Sequence, residues 1–144
     1  MLDHGFLSED IRAINPENSY IAAYSNLLEL PEKHAAFLLA LMEYTTEHTL
    51  LNPNAKSSTR ALCVLHVYMV AIKHPMKSDE FKKMFKCNYG TIRTIAMELF
   101  HCAKQIEPLF QEYDIAYEGL NDCSEKSKRV VMKRRAKCGR VLLD

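Results

Sequence analysis

Glycine is scarce in this chain, with four in 144 residues, and proline is held to five. So few turn formers, beside many Leu, Ala, Met, Glu and Lys, argue against sheets and predict helices. No apolar run reaches about 18 residues, so no transmembrane helix is expected. The N-terminus has neither a basic start nor a continuous apolar stretch, so no secretory signal is expected. There is no Gly-rich phosphate loop, no placeable Ser/His/Asp order and no pair of carboxylates set against an apolar pocket, so the chain is read as non-enzymatic. The five cysteines, Cys63, Cys87, Cys102, Cys123 and Cys138, are odd in number and none sits at CxxC spacing. His34, His48, His66, His74 and His101 lack zinc-finger spacing as well. The thiols are therefore read as reduced in an intracellular protein, with Cys63 and Cys102 in the core, and no metal or cofactor is expected.

What is present fits a soluble globular protein: 48% hydrophobic and 26% charged residues. A chain of this length is one domain, or one domain with a tail, and buries a core without disulfides or metal. Its formal charge of +1 hides an asymmetry, because Ser124 to Arg140 holds eight Lys or Arg and one Glu. Acids gather earlier, at Glu9, Asp10, Glu17, Glu29, Glu32, Glu43 and Glu47. Residues 1–16 are read as a linker or short leading helix, 17–110 as a helical domain and 111–144 as an extension with a basic, helix-compatible end.

Helical spacing recurs through the domain. A first helix from Glu17 to Leu30 turns Ile21, Tyr24, Leu27 and Leu28 inward, and Pro31 opens a second, from about Glu32 to His48. Its stripe is Ala35, Leu38, Leu39, Met42 and Thr45 or Thr46, widened by Phe37 and Leu41. Ser57, Ser58 and Thr59 offer N-caps to a third helix, Arg60 to His74, which is apolar nearly all round and belongs in the middle of a bundle. A short fourth helix, Ser78 to Phe85, takes Ser78 as its cap and turns Phe81, Met84 and Phe85 inward. A fifth, Gly90 to Ile106, carries Ile92, Ile95, Ala96, Leu99, Phe100, Ala103 and Ile106 as a stripe until Pro108 stops it. The fold class is all-α, a five-helix bundle around a buried third helix.

The segment from Lys77 to Ile106 is the candidate site. A short helix, the polar break Asn88-Tyr89-Gly90 and a longer amphipathic helix make a helix-turn-helix, a unit that sets a helix start against DNA. Lys82, Lys83 and Lys86 flank the turn, with Lys77 before it, and Arg93 lies in the first turn of the following helix, where a long cation reaches phosphate or a base edge. The alternative for each is an ordinary solvated face. Tyr89 is read as a cap over the core or an exposed aromatic for a partner or base, and His66 and Tyr68 as satisfied polar groups within the core rather than ligands. The tail cations Lys126, Lys128, Arg129, Lys133, Arg134, Arg135 and Lys137 read as a nuclear localisation signal, a nucleic-acid arm or a solvated tail.

The order of these elements resembles a cyclin-like repeat, and more closely the second repeat of transcription factor IIB, over about Glu17 to Phe110. Val67-Tyr68-Met69-Val70-Ala71 looks like the "IYMAS" segment closing that family's central helix. Glu80-Phe81 sits where the family has Glu-Ile, Gly90-Thr91-Ile92-Arg93 matches its "VTIR", and Glu107-Pro108-Leu109-Phe110 resembles its "DLFP", shifted slightly. The resemblance implies a nuclear, non-enzymatic, monomeric factor of transcription initiation, with promoter DNA, TATA-binding protein and RNA polymerase as partners and no membrane. It implies a base-contacting role for Arg93, with Thr91 matching in type and Ile92 packing. Gly90 departs from the family by replacing a base-contacting valine. Lys56-Ser57-Ser58-Thr59 stands where the family has Gly-Arg-Ser-Pro, and one repeat is present where the family has two. Two other readings remain open: a cyclin-type protein-interaction module without DNA contact, and an RNA-binding adaptor acting through the tail.

Overall fold

The apolar run from Ala61 to Met69 is buried without a break. A helix apolar on every side is stable only when others surround it. The computed structural model, which describes residues 16–120, shows how that is done. Six helices carry the described residues: α1 (Pro16–Leu27), α2 (Glu32–Glu47), α3 (Ser57–Ala71), α4 (Ser78–Phe85), α5 (Tyr89–His101) and α6 (Ala103–Glu112). Helix α3 packs against α1, α2 and α5, α1 packs on α2, α6 closes on α2, and α4 leans on α5. The described residues form an all-α bundle with α3 at its centre.

The inward face of α1 differs from its apolar spacing. Leu27 is 55% exposed, while Glu17, Asn18 and Ser25 are buried beside Ile21. Two of these polar side chains have partners that the sequence pattern cannot show. Glu17 forms an ion pair with Arg60 of α3, and Asn18 donates to Glu43 of α2 at 3.5 Å. Met84 also faces out, at 41% exposure, leaving Phe81 as the buried residue of α4. Cys63 lies in the core as expected, whereas Cys102 is only half-buried.

The single fifth helix expected from the sequence is two helices that meet at Cys102. There the amide of Cys102 reaches Leu99 O and that of Gln105 reaches Cys102 O, each three residues back. The apolar stripe passes through this tightened turn in step, through Leu99, Ala103, Ile106 and Phe110, all of them buried. Pro108 does not stop the chain but lies inside α6 on its exposed side. Its missing N–H leaves the Lys104 carbonyl, four residues back, without that intrahelical donor, and Lys104 is exposed. Beyond α6, Ile115 and Leu120 enter the same core.

Helix ends share one device. Glu29, Thr49, Lys73, Lys86 and Asp114 have φ between 50° and 62°, the left-handed region where glycine is favoured. Four of them sit inside the six-residue closure that caps a helix C-terminus: Leu30 to Ser25, Leu50 to Thr45, His74 to Met69 and Ile115 to Phe110. The starts of α2, α3 and α4 also differ from the expected caps. Pro31, Lys56 and Lys77 occupy the cap positions and make no side-chain cap bond, so Pro31 precedes the first helical position, and Ser57 and Ser78 lie inside their helices rather than capping them.

Candidate nucleic-acid interface

Helix α4 stays attached to the bundle because Phe81 is 1% exposed, against His66 of α3 and Tyr89. His66 is enclosed edge-on by Phe81, Tyr89 and Phe100 at centroid distances of 6.2, 5.4 and 6.0 Å. Burial, and then the neighbouring Arg93 charge, pushes this imidazole down to about 4. The aromatic box therefore holds a neutral histidine and fixes α4, the turn and α5 to the central helix. Cys63 adds a second tie, since its thiol donates to Ile92 O at 3.5 Å. Burial pushes that thiol up to about 12, so it remains protonated.

Three residues, 86–88, separate α4 from α5. Lys86 takes the left-handed conformation at the end of α4. Asn88 then caps α5, its Oδ1 accepting from Thr91 N at 3.3 Å. This satisfies one of the free amides that every helix start carries. Gly90 lies in the first turn with no positive φ, so its smallness has another cause. A Cβ there would come within 3.3 Å of Asn88 Oδ1. The capping side chain folds back over this position.

Around this turn the structure places Lys82, Lys83, Lys86, Gly90, Thr91 and Arg93 on the exposed surface, with Ile92 buried beneath them. All but Lys83 line three adjoining hollows. Lys82 shares one of about 410 Å3 with Ser78, Asp79, Asn88 and Gly90. Arg93 shares a shallow one of about 450 Å3 with Asn88, Gly90, Thr91 and Thr94. Lys86 and Thr91 line a third of about 260 Å3.

The third hollow holds what sequence reasoning missed. Lys56, Ser58 and Thr59 from the start of α3 face Lys86, Asn88 and Thr91 across it. Two helix starts and two lysines thus meet in one cleft. No local pattern marks this, because the segments are far apart in the chain and meet only when α3 packs against α5. Among the described residues, the ion pairs are Lys33 with Asp114, Arg60 with Glu17 and Lys73 with Glu118. None involves Lys56, Lys82, Lys83, Lys86 or Arg93. Asp79 lowers the local positive charge where it shares a hollow with Lys82.

The tail cations Lys126, Lys128, Arg129, Lys133, Arg134, Arg135 and Lys137 lie outside the described residues. Among the described residues no three His, Cys, Asp or Glu side chains are grouped to hold a metal ion, and no helix is long and apolar enough to cross a membrane. No protein-family model matches the chain, and no curated protein or solved structure matches it.

Proposed function

We propose that the protein is a duplex-DNA-binding module of transcription initiation that docks through the α4–turn–α5 unit. The observation that carries this reading is the set of exposed cations without carboxylate partners among the described residues, Lys82, Lys83, Lys86 and Arg93, set around a helix-turn-helix. Exposed cations without carboxylate partners suit phosphates, because each contact releases a condensed counterion.

The mode of contact is positional. Lys82, Lys83 and Lys86 touch the backbone, joined by Lys56 across the cleft, while Arg93 reaches past the first turn of α5 toward a base edge or phosphate. Gly90 offers no apolar surface to a thymine methyl, so base reading rests on Arg93 and Thr91. By its resemblance to transcription factor IIB repeats, the module would act beside TATA-binding protein and RNA polymerase in the nucleus, with the basic tail as a localisation signal or a second, sequence-indifferent arm. Fluorescence anisotropy on promoter-like and scrambled duplexes tests this. Arg93→Ala is expected to weaken binding by about 1–3 kcal/mol if Arg93 reads a base, and to narrow the difference between the two duplexes. Unchanged affinity on both would remove Arg93 from the interface.

A cyclin-type protein-interaction module is the second reading. Tyr20 and Leu27 of α1 and Met84 of α4 are exposed apolar side chains, and Tyr24 of α1 packs edge-on against Phe85 at 5.0 Å. An apolar surface of this kind suits a protein partner better than a phosphate backbone.

A further inference from the structure

The cleft between the starts of α3 and α5 carries Lys56 and Lys86 but is apolar inside. Half-buried Tyr24 and Phe85 wall it, and buried Leu62 and Ile92 lie at its base. An aromatic track leads into it along α1. Tyr20 is 40% exposed and stacks on Tyr24 at 6.1 Å, and Tyr24 meets Phe85 edge-on at 5.0 Å. A phosphate makes no use of such a surface, which suits an apolar occupant. The two lysines favour an occupant that carries acids as well.

Residues 1–15, which precede α1 and lie outside the described residues, have that chemistry. Leu7, Ile11 and Ile14 stand at the i, i+4, i+7 spacing of one helical face, with Phe6 next to Leu7. Asp3, Glu9 and Asp10 outweigh Arg12. Asn15-Pro16 is a turn signal, and a residue before proline is pushed out of the helical region, so the chain can reverse there and run back along α1. The attachment point is near the cleft. Pro16 opens α1, and Glu17 bonds Ser57 and Arg60 at the start of α3, one of the two helix starts that form the cleft. Tyr24 lies eight residues after Pro16, about 12 Å along α1, whereas fifteen residues reach about 22 Å even when helical. Residues 121–144 do not fit. They carry the basic run and would meet lysines of their own sign. They also follow Gly119 and Leu120, and Gly119 lies against Val70, about 20 Å along α3 from its start.

We propose that residues 1–15 fold back along α1 and dock in this cleft, with Leu7, Ile11 and Ile14 on the aromatic track and Glu9 and Asp10 facing Lys56 and Lys86, so that the chain covers part of its own duplex-binding surface. A short tether holds such a segment at an effective concentration on the order of 1 mM, so a weak contact suffices. Duplex DNA binds once the segment has left, and its apparent affinity falls in proportion to the open fraction. Docking stands by itself, whereas competition with DNA rests on the duplex-binding reading of this surface.

NMR of the methyl-labelled full chain, alone and with the promoter-like duplex, tests the proposal. In the protein alone, NOEs are expected from the Leu7 or Ile11 methyls to those of Thr59, Leu62 or Thr91, and they should vanish as duplex is added. Leu7→Ser with Ile11→Ser changes no charge. It should shift the Thr59 and Thr91 methyl resonances and tighten duplex binding about five-fold, the gain expected where about one molecule in five is open. Absence of those NOEs, or NOEs to Thr46 or Leu51 in their place, overturns the docking whatever the DNA result. NOEs found only between differently labelled chains assign the segment to a second copy and overturn the fold-back. NOEs that persist at saturating duplex, or equal duplex affinity of variant and wild type, overturn the competition. NOEs without duplex binding by either protein uphold the docking and overturn the competition together with the duplex-binding reading.

Discussion

At residue 119 the chain tolerates nothing but hydrogen. A Cβ on Gly119 would lie 2.0 Å from Val70 O and 3.0 Å from Val70 C, backbone atoms at the end of α3 that cannot swing aside. Gly119→Ala is expected to destabilise the protein by more than about 2 kcal/mol, or to displace the residues after α6, measurable as a lower urea midpoint. An unchanged midpoint would mean that this close approach does not exist in solution. His66 sets the second expectation at this scale. Its folded value near 4 lies below its ordinary 6.5, so the unfolded chain takes up a proton that the folded chain refuses as pH falls between those values. Stability from this residue is complete above about 6.5 and is lost on acidification, by about 2 kcal/mol between pH 7.5 and pH 5. His66→Gln should flatten that part of the urea-stability profile, and a slope as steep as the wild type would place the imidazole outside the aromatic box. Neither the close approach at Gly119 nor the box was legible in the sequence. His66 read as a satisfied core residue, but the three rings that enclose it come from α4 and α5, and only tertiary packing brings them together.

Among the elements, the buried third helix and the short fourth were legible because their patterns are local. The all-round apolar run from Ala61 to Met69 and the compact Ser78–Phe85 unit required no knowledge of neighbours. The break at Cys102 was not legible, since one stripe continues through it and periodicity records phase rather than hydrogen bonding. The face of α1 was misread for a different reason: buried Glu17 and Asn18 look like surface residues until their partners Arg60 and Glu43 are in place. The left-handed helix ends follow from the shortage of glycine. Each of these non-glycine residues costs about 1–2 kcal/mol of conformational strain, part of which is offset by a less flexible unfolded chain. Glu29→Gly is therefore expected to raise stability by between about 0.5 and 1 kcal/mol. A thermal or urea midpoint that falls instead would show that Glu29 is held there by an interaction stronger than its strain.

Across the whole molecule, the candidate surface divides into a part readable in one stretch and a part that the fold assembles. Lys82, Lys83, Lys86 and Arg93 are close neighbours in the chain and declare themselves as a turn with cations. Lys56, Ser58 and Thr59 join them only because α3 lies against α5. The +1 formal total would not by itself point to nucleic acid, and the reading depends on where charges are left unpaired. The most direct test is the salt dependence of duplex-DNA binding by the full chain and by its Lys82→Ala, Lys83→Ala, Lys86→Ala, Arg93→Ala combination. Removing a cation that neutralises one phosphate should reduce the slope of log K against log salt by about 0.9. The account predicts salt-dependent binding by the full chain and a slope lowered in the combined variant by about 2.7 if Arg93 meets a base edge and about 3.6 if it meets a phosphate, with helical content and thermal midpoint retained. An identical slope and affinity in the two proteins, or no salt-dependent binding by the full chain, would contradict it.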